Sequence, residues 1–201
     1  MMPNHQLRPI VALCVSGRSI YKHLPGVTCY DSRRDAAQFA GNEPVIAHPP
    51  CRHWPKYLSS QAAAPDPLAE MEFDLFCARM VIRNGGVLEQ PEGSKLWEAA
   101  ELPMLNRPAE NGLWTCYVEQ SWFGYATRKP TWLLIAGVPK NLVPPIPFDP
   151  ARFRQLPLHL SKEPPSRTMP KFAEWLCQIA RLSNSPALSD RNATYSLTYK
   201  I

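Results

Sequence analysis

The sequence predicts an α/β sandwich on a mostly parallel sheet, with an antiparallel strand near the C-terminal end. Short apolar segments alternate with helical ones over the first half of the chain, the pattern of parallel strands joined by crossovers. Two strand-like segments, "GLWTCYVEQSWFG" (112–124) and "KPTWLLIAGV" (129–138), then follow one turn apart, the spacing of a hairpin. At 201 residues the chain can build one sizeable core and is short for two.

"PIVALCV" (9–15) is a short β-branched apolar run, read as a buried strand that passes into a helix after "SGRS". "GVTCYD" (26–31) is a second strand ending on Asp31, and "SRRDAAQFAG" is a helical turn closed by Gly41. "PVIAH" (44–48) is a third strand. The clearest helix is "DPLAEMEFDLFCARMVIRNGG": Asp66 is a good N-cap and Pro67 a good first residue. Leu68, Met71, Leu75, Ala78, Met80 and Ile82 recur near helical spacing, and Gly85-Gly86 ends the pattern. "GVLEQP" (86–91) is a strand and "SKLWEAAEL" (94–102) a short helix. "KFAEWLCQIARL" (171–182) is an amphipathic helix behind Pro170. Residues 1–182 are thus expected to form one domain, with a proline-rich surface segment over 139–170 and a polar tail over 183–201. Within the tail, "ATYSLTYKI" has the composition of an edge strand or of a disordered end.

Hydrophobic residues at 45% and charged residues at 19% are ordinary for a globular protein, whereas 23 prolines are about twice the usual share. The net charge of +5 is compatible with a polyanionic partner without requiring one. The apolar run near the start is too short for a membrane span or a signal peptide, and no longer one follows. The six cysteines are scattered, with no C-x-x-C pair. Cys14, Cys29, Cys77 and Cys116 fall in apolar segments, as buried free thiols do in a reducing compartment, so a cytoplasmic protein without membrane contact is expected.

In sheets of this kind ligands bind beyond the carboxyl ends of the strands. Ser16-Gly17, Asp31, His48-Pro49-Pro50-Cys51 and Glu89-Gln90-Pro91 all fall at such ends. Cys51 alone of the thiols sits in a turn, where it is a nucleophile, a metal ligand within His48-x-x-Cys51-x-His53, or a small residue in a tight bend. Asp31 suits a ribose ligand or a helix cap equally, and Glu89 an acid or the cap of the next helix. Trp114, Tyr117, Trp122, Phe123 and Trp132 are at strand spacing and read as core, although "QSWFGY" at a turn could offer Trp122 or Tyr125 to a base.

In their order, these strand ends resemble DNA (cytosine-5) methyltransferases, and especially the small phage and prophage proteins similar to them. Pro50-Cys51 matches the family's Pro-Cys dipeptide, Glu89-Gln90-Pro91 its acidic strand end, and "ATRKPTWLLIAGV" with Arg128 its arginine-bearing turn before a strand. "SRTMPKFAEWLCQIA" resembles its closing helix, so the likeness covers roughly residues 10–180. Arg52 stands where the family commonly has glutamine, and Gln90 where it has asparagine. The resemblance implies a Rossmann-like methyltransferase sandwich, S-adenosylmethionine as cofactor, and DNA or a pyrimidine nucleotide as substrate. It also implies that Cys51 adds to carbon 6 of the pyrimidine as a thiolate, its pKa lowered by Arg52, His53 or a helix end. Glu89, partly protonated, would serve as the acid at the ring nitrogen and Arg128 as the cation near the ring oxygen. By the same resemblance Ser16, Gly17, Asp31 and Pro49 would line the cofactor site, and Pro50, Arg52, His53, Gln90 and Pro91 the substrate site. No segment after Arg128 is large enough for a target-recognition domain, the proline-rich stretch offering little beyond Arg152, Arg154, His159 and Lys162. Two other readings remain: the same pyrimidine chemistry on a free nucleotide or with another donor, and an inactive DNA- or protein-binding module.

Overall fold

A computed structural model of the chain describes residues 7–51, 66–147 and 167–184. The β-branched and aliphatic runs form a six-stranded sheet: β1 (Ile10–Leu13), β2 (Val27–Cys29), β3 (Val45–Ala47), β4 (Gly86–Pro91), β5 (Leu113–Glu119) and β6 (Pro130–Ala136). The strand order is β2-β1-β3-β4-β6-β5. β1 to β4 are parallel, and β6 runs against both β4 and β5. The sequence reading of a mostly parallel α/β sheet with one reversed strand therefore holds. The chain moves outward to β2 on one side of β1 and to β3 on the other, so the order reverses between β1 and β3. A crevice opens at the carboxyl ends of two strands related in this way.

Alternation along the strands divides the core into two layers. Val11, Leu13, Val45, Ala47, Leu88 and Leu134 face one side, where α1 (Pro67–Asn84) and α2 (Leu96–Ala99) cover them. Ile10, Ala12, Ile46, Val87, Leu133 and Ile135 face the other, where they meet α3 (Pro170–Leu182). α3 buries Phe172, Ala173, Leu176, Ile179 and Ala180, spaced as one helical face, and Phe123 packs on Phe172 and Trp175 with ring centroids 4.9 and 5.1 Å apart.

α1 begins as its sequence dictates, with the Asp66 carboxylate accepting from the Ala69 amide at 3.0 Å and Pro67 in the first turn. Its buried side is Asp74, Leu75, Cys77, Ala78, Met80, Val81 and Ile82. Leu68, expected on that side, is exposed in the first turn. The segments after β1 and β2 are shorter than read: each carries only a 3-10 turn, Ile20–His23 and Ala36–Gln38. Asp31 and Asp35 cap local turns there, accepting from the Arg33 and Ala37 amides. All six cysteines are free; Cys77 and Cys177 are buried, whereas Cys14, Cys29 and Cys116 are half-buried. No helix among the described residues is long and apolar enough to cross a membrane. The tail from 185 on and the proline-rich segment 148–166 lie outside the described residues.

Gly86 opens β4 at φ +121°, and a Cβ there would stand 2.0 Å from the Val45 carbonyl oxygen. Gly86→Ala should destabilise the protein by about 3 kcal/mol or more, the strain adding to a forced separation of β3 and β4. A lowered urea midpoint at unchanged slope is the expected readout.

Candidate functional site

The strand carboxyl ends gather around the last two polar residues of β4. Successive residues of a strand point to opposite faces, so Glu89 turns toward the α3 layer with Val87, and Gln90 toward the α1 layer with Leu88. Glu89 meets His48, the residue that follows β3: His48 Nδ1 lies 2.9 Å from Glu89 Oε2. The other ring nitrogen, Nε2, lies 2.9 Å from the hydroxyl of Tyr21, a fully buried residue of the 20–23 turn. The second carboxylate oxygen, Oε1, accepts from the Gln120 side-chain amide at 2.8 Å, and that amide also donates to Thr131 Oγ1 at 3.1 Å.

These contacts set the charge states. Burial is the largest influence on Glu89 and pushes its pKa up, but the hydrogen bond and charge of His48, the charge of Lys129 and the Gln120 amide together outweigh it. The carboxyl titrates below its ordinary value and is ionised at neutral pH, which corrects the expectation of a partly protonated acid. An ionised carboxylate only accepts, so Nδ1 of His48 carries the proton in this contact. Burial first, then the nearby Cys177, Glu89 and Cys29 groups, hold the Tyr21 phenol far above its usual range. The protonated phenol and Nε2 of His48 share a hydrogen bond whose direction follows the protonation of the ring.

Gln90 is fully buried and does different work. Its amide donates to the carbonyl of Pro49 at 2.7 Å, while its own oxygen accepts from Ser94 Oγ at 3.3 Å. Two consecutive prolines supply no N–H of their own, so this side chain is what ties the Pro49-Pro50-Cys51 loop to β4. Both ends of Gln90 are thus occupied by the protein, and Pro49 is buried with it. Pro50 is half-buried, Pro91 exposed, and Cys51 exposed at the end of the loop. Arg52 and His53 lie outside the described residues.

The Cys51 thiol is not activated as expected. Although the residue is exposed, loss of solvent around its sulfur is the largest influence and raises the pKa, and the Glu89 carboxylate raises it further against the opposing charge of Lys129. Both main influences act in one direction, so Cys51 is a protonated thiol at neutral pH.

Arg128 is bound to a second carboxylate. Its Nε and Nη2 donate to Glu119 Oε1 at 3.1 and 2.6 Å, and the Tyr117 hydroxyl and Lys129 amide complete the set at 2.8 and 3.0 Å. The Glu119 side chain is fully buried, so this arrangement fixes the turn of the β5–β6 hairpin. The neighbouring Lys129 is the cation whose charge is felt at both Cys51 and Glu89. Tyr125 is buried under the Lys129 ammonium, 5.2 Å from its ring centroid, and Trp122 packs edge-on to Tyr117.

Of the residues expected to hold S-adenosylmethionine, Ser16 and Gly17 are exposed beyond β1, with no atom within 4 Å of a Cβ built on Gly17. Pro49, by contrast, is buried. Asp31 does not fit the ribose end. Its carboxylate pairs with Lys22 and accepts from the Arg33 and Arg34 amides at 2.8 and 3.3 Å, as a turn cap does. The Lys22 hydrogen bond first, then that of the Arg33 amide, lower its pKa to about 2. Among the described residues β2 is also the edge of the sheet, with no strand beyond it.

Sequence reasoning named Cys51, Glu89 and Gln90, of which the structure ties Gln90 to the Pro49 and Pro50 carbonyls before Cys51; it missed Tyr21 and Gln120, and saw His48 only as a strand end or metal ligand. Gln120 had a signal, since Glu119-Gln120 puts two polar residues at the end of an apolar strand; Tyr21 had none. Comparison with protein-family models, with curated proteins and with solved structures yields no match.

Two titrations check these charge states. Alkylation of Cys51, measured against a Cys51→Ser control, should follow a pKa above the ordinary thiol value of about 8.5, and Glu89→Gln should bring it down. Asp31 has a folded-state pKa below its unfolded one. Its stabilising contribution is therefore present at neutral pH and lost as pH falls from about 4 to about 2. Asp31→Asn should flatten the urea midpoint against pH across that window.

Proposed function

We propose that this chain is a pyrimidine-modifying enzyme of the cytosine 5-methyltransferase kind, similar to the small phage-encoded members, working in the cytoplasm on DNA or a pyrimidine nucleotide. Its sulfur, Cys51, adds to carbon 6 of the base, which makes carbon 5 nucleophilic toward a one-carbon donor. The observation that carries this reading is the junction at the end of β4. Glu89 is near enough to Cys51 for its charge to raise the thiol pKa, while Gln90 tethers the cysteine loop to the same strand. The tether links Pro-Cys to the acidic strand end, 38 residues apart in sequence numbering, and so supports their acting in one site (89 − 51). The six-stranded sheet with its reversed strand and the crevice between β1 and β3 are compatible with a Rossmann-like methyltransferase sandwich.

S-adenosylmethionine is the proposed donor, with Ser16, Gly17 and Pro49 beside it. The engagement of Asp31 by Lys22 favours a second reading, in which the same addition serves another one-carbon donor or a free nucleotide. Addition at carbon 6 can be tested without any donor, because it makes the hydrogen on carbon 5 exchangeable. Incubation in deuterated water with a cytosine-containing oligonucleotide, or with the mononucleotide, should give deuterium at carbon 5, read by mass spectrometry. Cys51→Ala should abolish it, and label acquired equally by Cys51→Ala and wild type would rule out the thiol. A thermal shift with S-adenosylmethionine then separates the two readings: a shift supports the methyl donor, and none supports the second.

A further inference from the structure

β1 is followed by a residue that breaks the alternation of the strand. Ile10 and Ala12 enter the α3 layer, and Val11 and Leu13 the α1 layer. Continued alternation would send Cys14 to the α3 layer. It packs instead in the α1 layer with Leu13, and Val15 resumes on the α3 side. The cause is its backbone, which has φ +61°. That left-handed conformation is unfavourable for a residue with a Cβ and persists only where the surroundings hold it. The other described non-glycine residues with positive φ are Glu101, Asn106 and Asn111, all in the connection between α2 and β5. Cys14 is held from both sides: the His48 amide donates to the Leu13 carbonyl at 3.2 Å, and the Val15 amide to the Tyr30 carbonyl at 3.1 Å.

The strained residue reaches a second thiol. The Cys14 sulfur lies 3.3 Å from the sulfur of Cys77, a fully buried residue of α1. Cys14 itself is half-buried. The pair is therefore asymmetric, with one partner within reach of solvent and the other shielded from it.

We propose that Cys14 and Cys77 are a reversible redox pair, which hydrogen peroxide converts to a disulfide that latches the carboxyl end of β1 to α1. The latch is independent of the pyrimidine chemistry and does not use Cys51. The Cys14 sulfur attacks one oxygen of the peroxide and the O–O bond breaks. The thiol proton goes to the departing oxygen, leaving a sulfenic acid and one water. The Cys77 sulfur then attacks the sulfenic sulfur, the S–O bond breaks, and the Cys77 proton leaves with the hydroxyl as a second water. The two sulfurs together lose two electrons, and the peroxide gains them. A dithiol reductant reverses the reaction by exchange and ends as its own disulfide.

A disulfide is about 2.0 Å long, so the two sulfurs have only a short approach to complete. The bond would close a long segment, because its ends are 63 positions apart and β2, β3 and the Cys51 loop lie between them. Such a cross-link restricts the unfolded chain more the longer the segment it closes. It also pins the chain just before the exposed Ser16-Gly17 pair.

The test uses the full chain carrying Cys51→Ser, so that the exposed thiol does not consume the oxidant. Folded protein treated with hydrogen peroxide, then alkylated in denaturant and digested, should give a linked peptide pair containing Cys14 and Cys77. The remaining thiols should be recovered alkylated. A cross-link between other cysteines, or Cys14 recovered as sulfinic acid with Cys77 alkylated, would overturn the proposal. This arm needs no change at either cysteine. The urea midpoint of the oxidised protein should rise, and dithiothreitol should return it to its starting value. A midpoint that stays in place once the disulfide has formed would rule the latch out. When Cys77→Ala is added, dimedone should trap Cys14 as its sulfenic acid, and with Cys77 present it should not. Equal trapping with and without Cys77 would leave the second thiol no role, and the pair falls.

Discussion

At the end of β4 two adjacent side chains point to opposite faces of the sheet, and the candidate site is organised by what each one holds. Glu89 reaches into the α3 layer and collects His48 and Gln120; Gln90 reaches into the α1 layer and collects the Pro49 carbonyl and Ser94. The loop carrying Cys51 leaves β3 between these two grips. It is clasped from both sides by one dipeptide, and the period-two alternation of a strand is the whole reason. A one-residue slip of β4 would exchange the two faces and lose both grips at once. The Gly86–Val45 contact at the other end of the strand, which admits no side chain, helps to fix that register.

Carboxylates in a protein interior are tolerated only when donors replace the lost water. This chain has two such groups at the ends of β4 and β5. Glu119 is surrounded by Arg128, Tyr117 and a backbone amide within its own hairpin, which makes it a fixed, local device. Glu89 is different because its donors arrive from β3, from the end of β5 and from a turn, so it joins elements that are distant in sequence. The contrast separates a carboxylate that holds one turn from one that joins several elements.

Much of this was legible in the residues. The apolar β-branched runs marked the strands, most plainly β1 and β3, which are buried at every residue and have no polar positions to disguise them. The Asp66-Pro67 start and the Gly85-Gly86 end of α1 were written in capping chemistry, which is local and therefore readable. The segments after β1 and β2 were read as more helical than they are. Ser and Asp cap tight turns as readily as helix starts, so composition did not separate the two. Asp31 fell the same way: an aspartate before Ser-Arg-Arg supports a cap or a ligand, and only the position of Lys22 and two backbone amides decided for the cap.

The sequence by itself determined the order of the strands along the chain and the placement of a thiol, an acid and an amide at strand ends. Those properties follow from periodicity and from chain stereochemistry, which act over a few residues. The tertiary structure decided which polar groups meet and in what charge state. Tyr21, His48, Glu89 and Gln120 span 99 residues of numbering (120 − 21), yet form one hydrogen-bonded row. Whether Glu89 is an acid or a carboxylate, and Cys51 a thiol or a thiolate, depends on the balance of burial against those few contacts. That balance exists only once the sheet has brought the strand ends together.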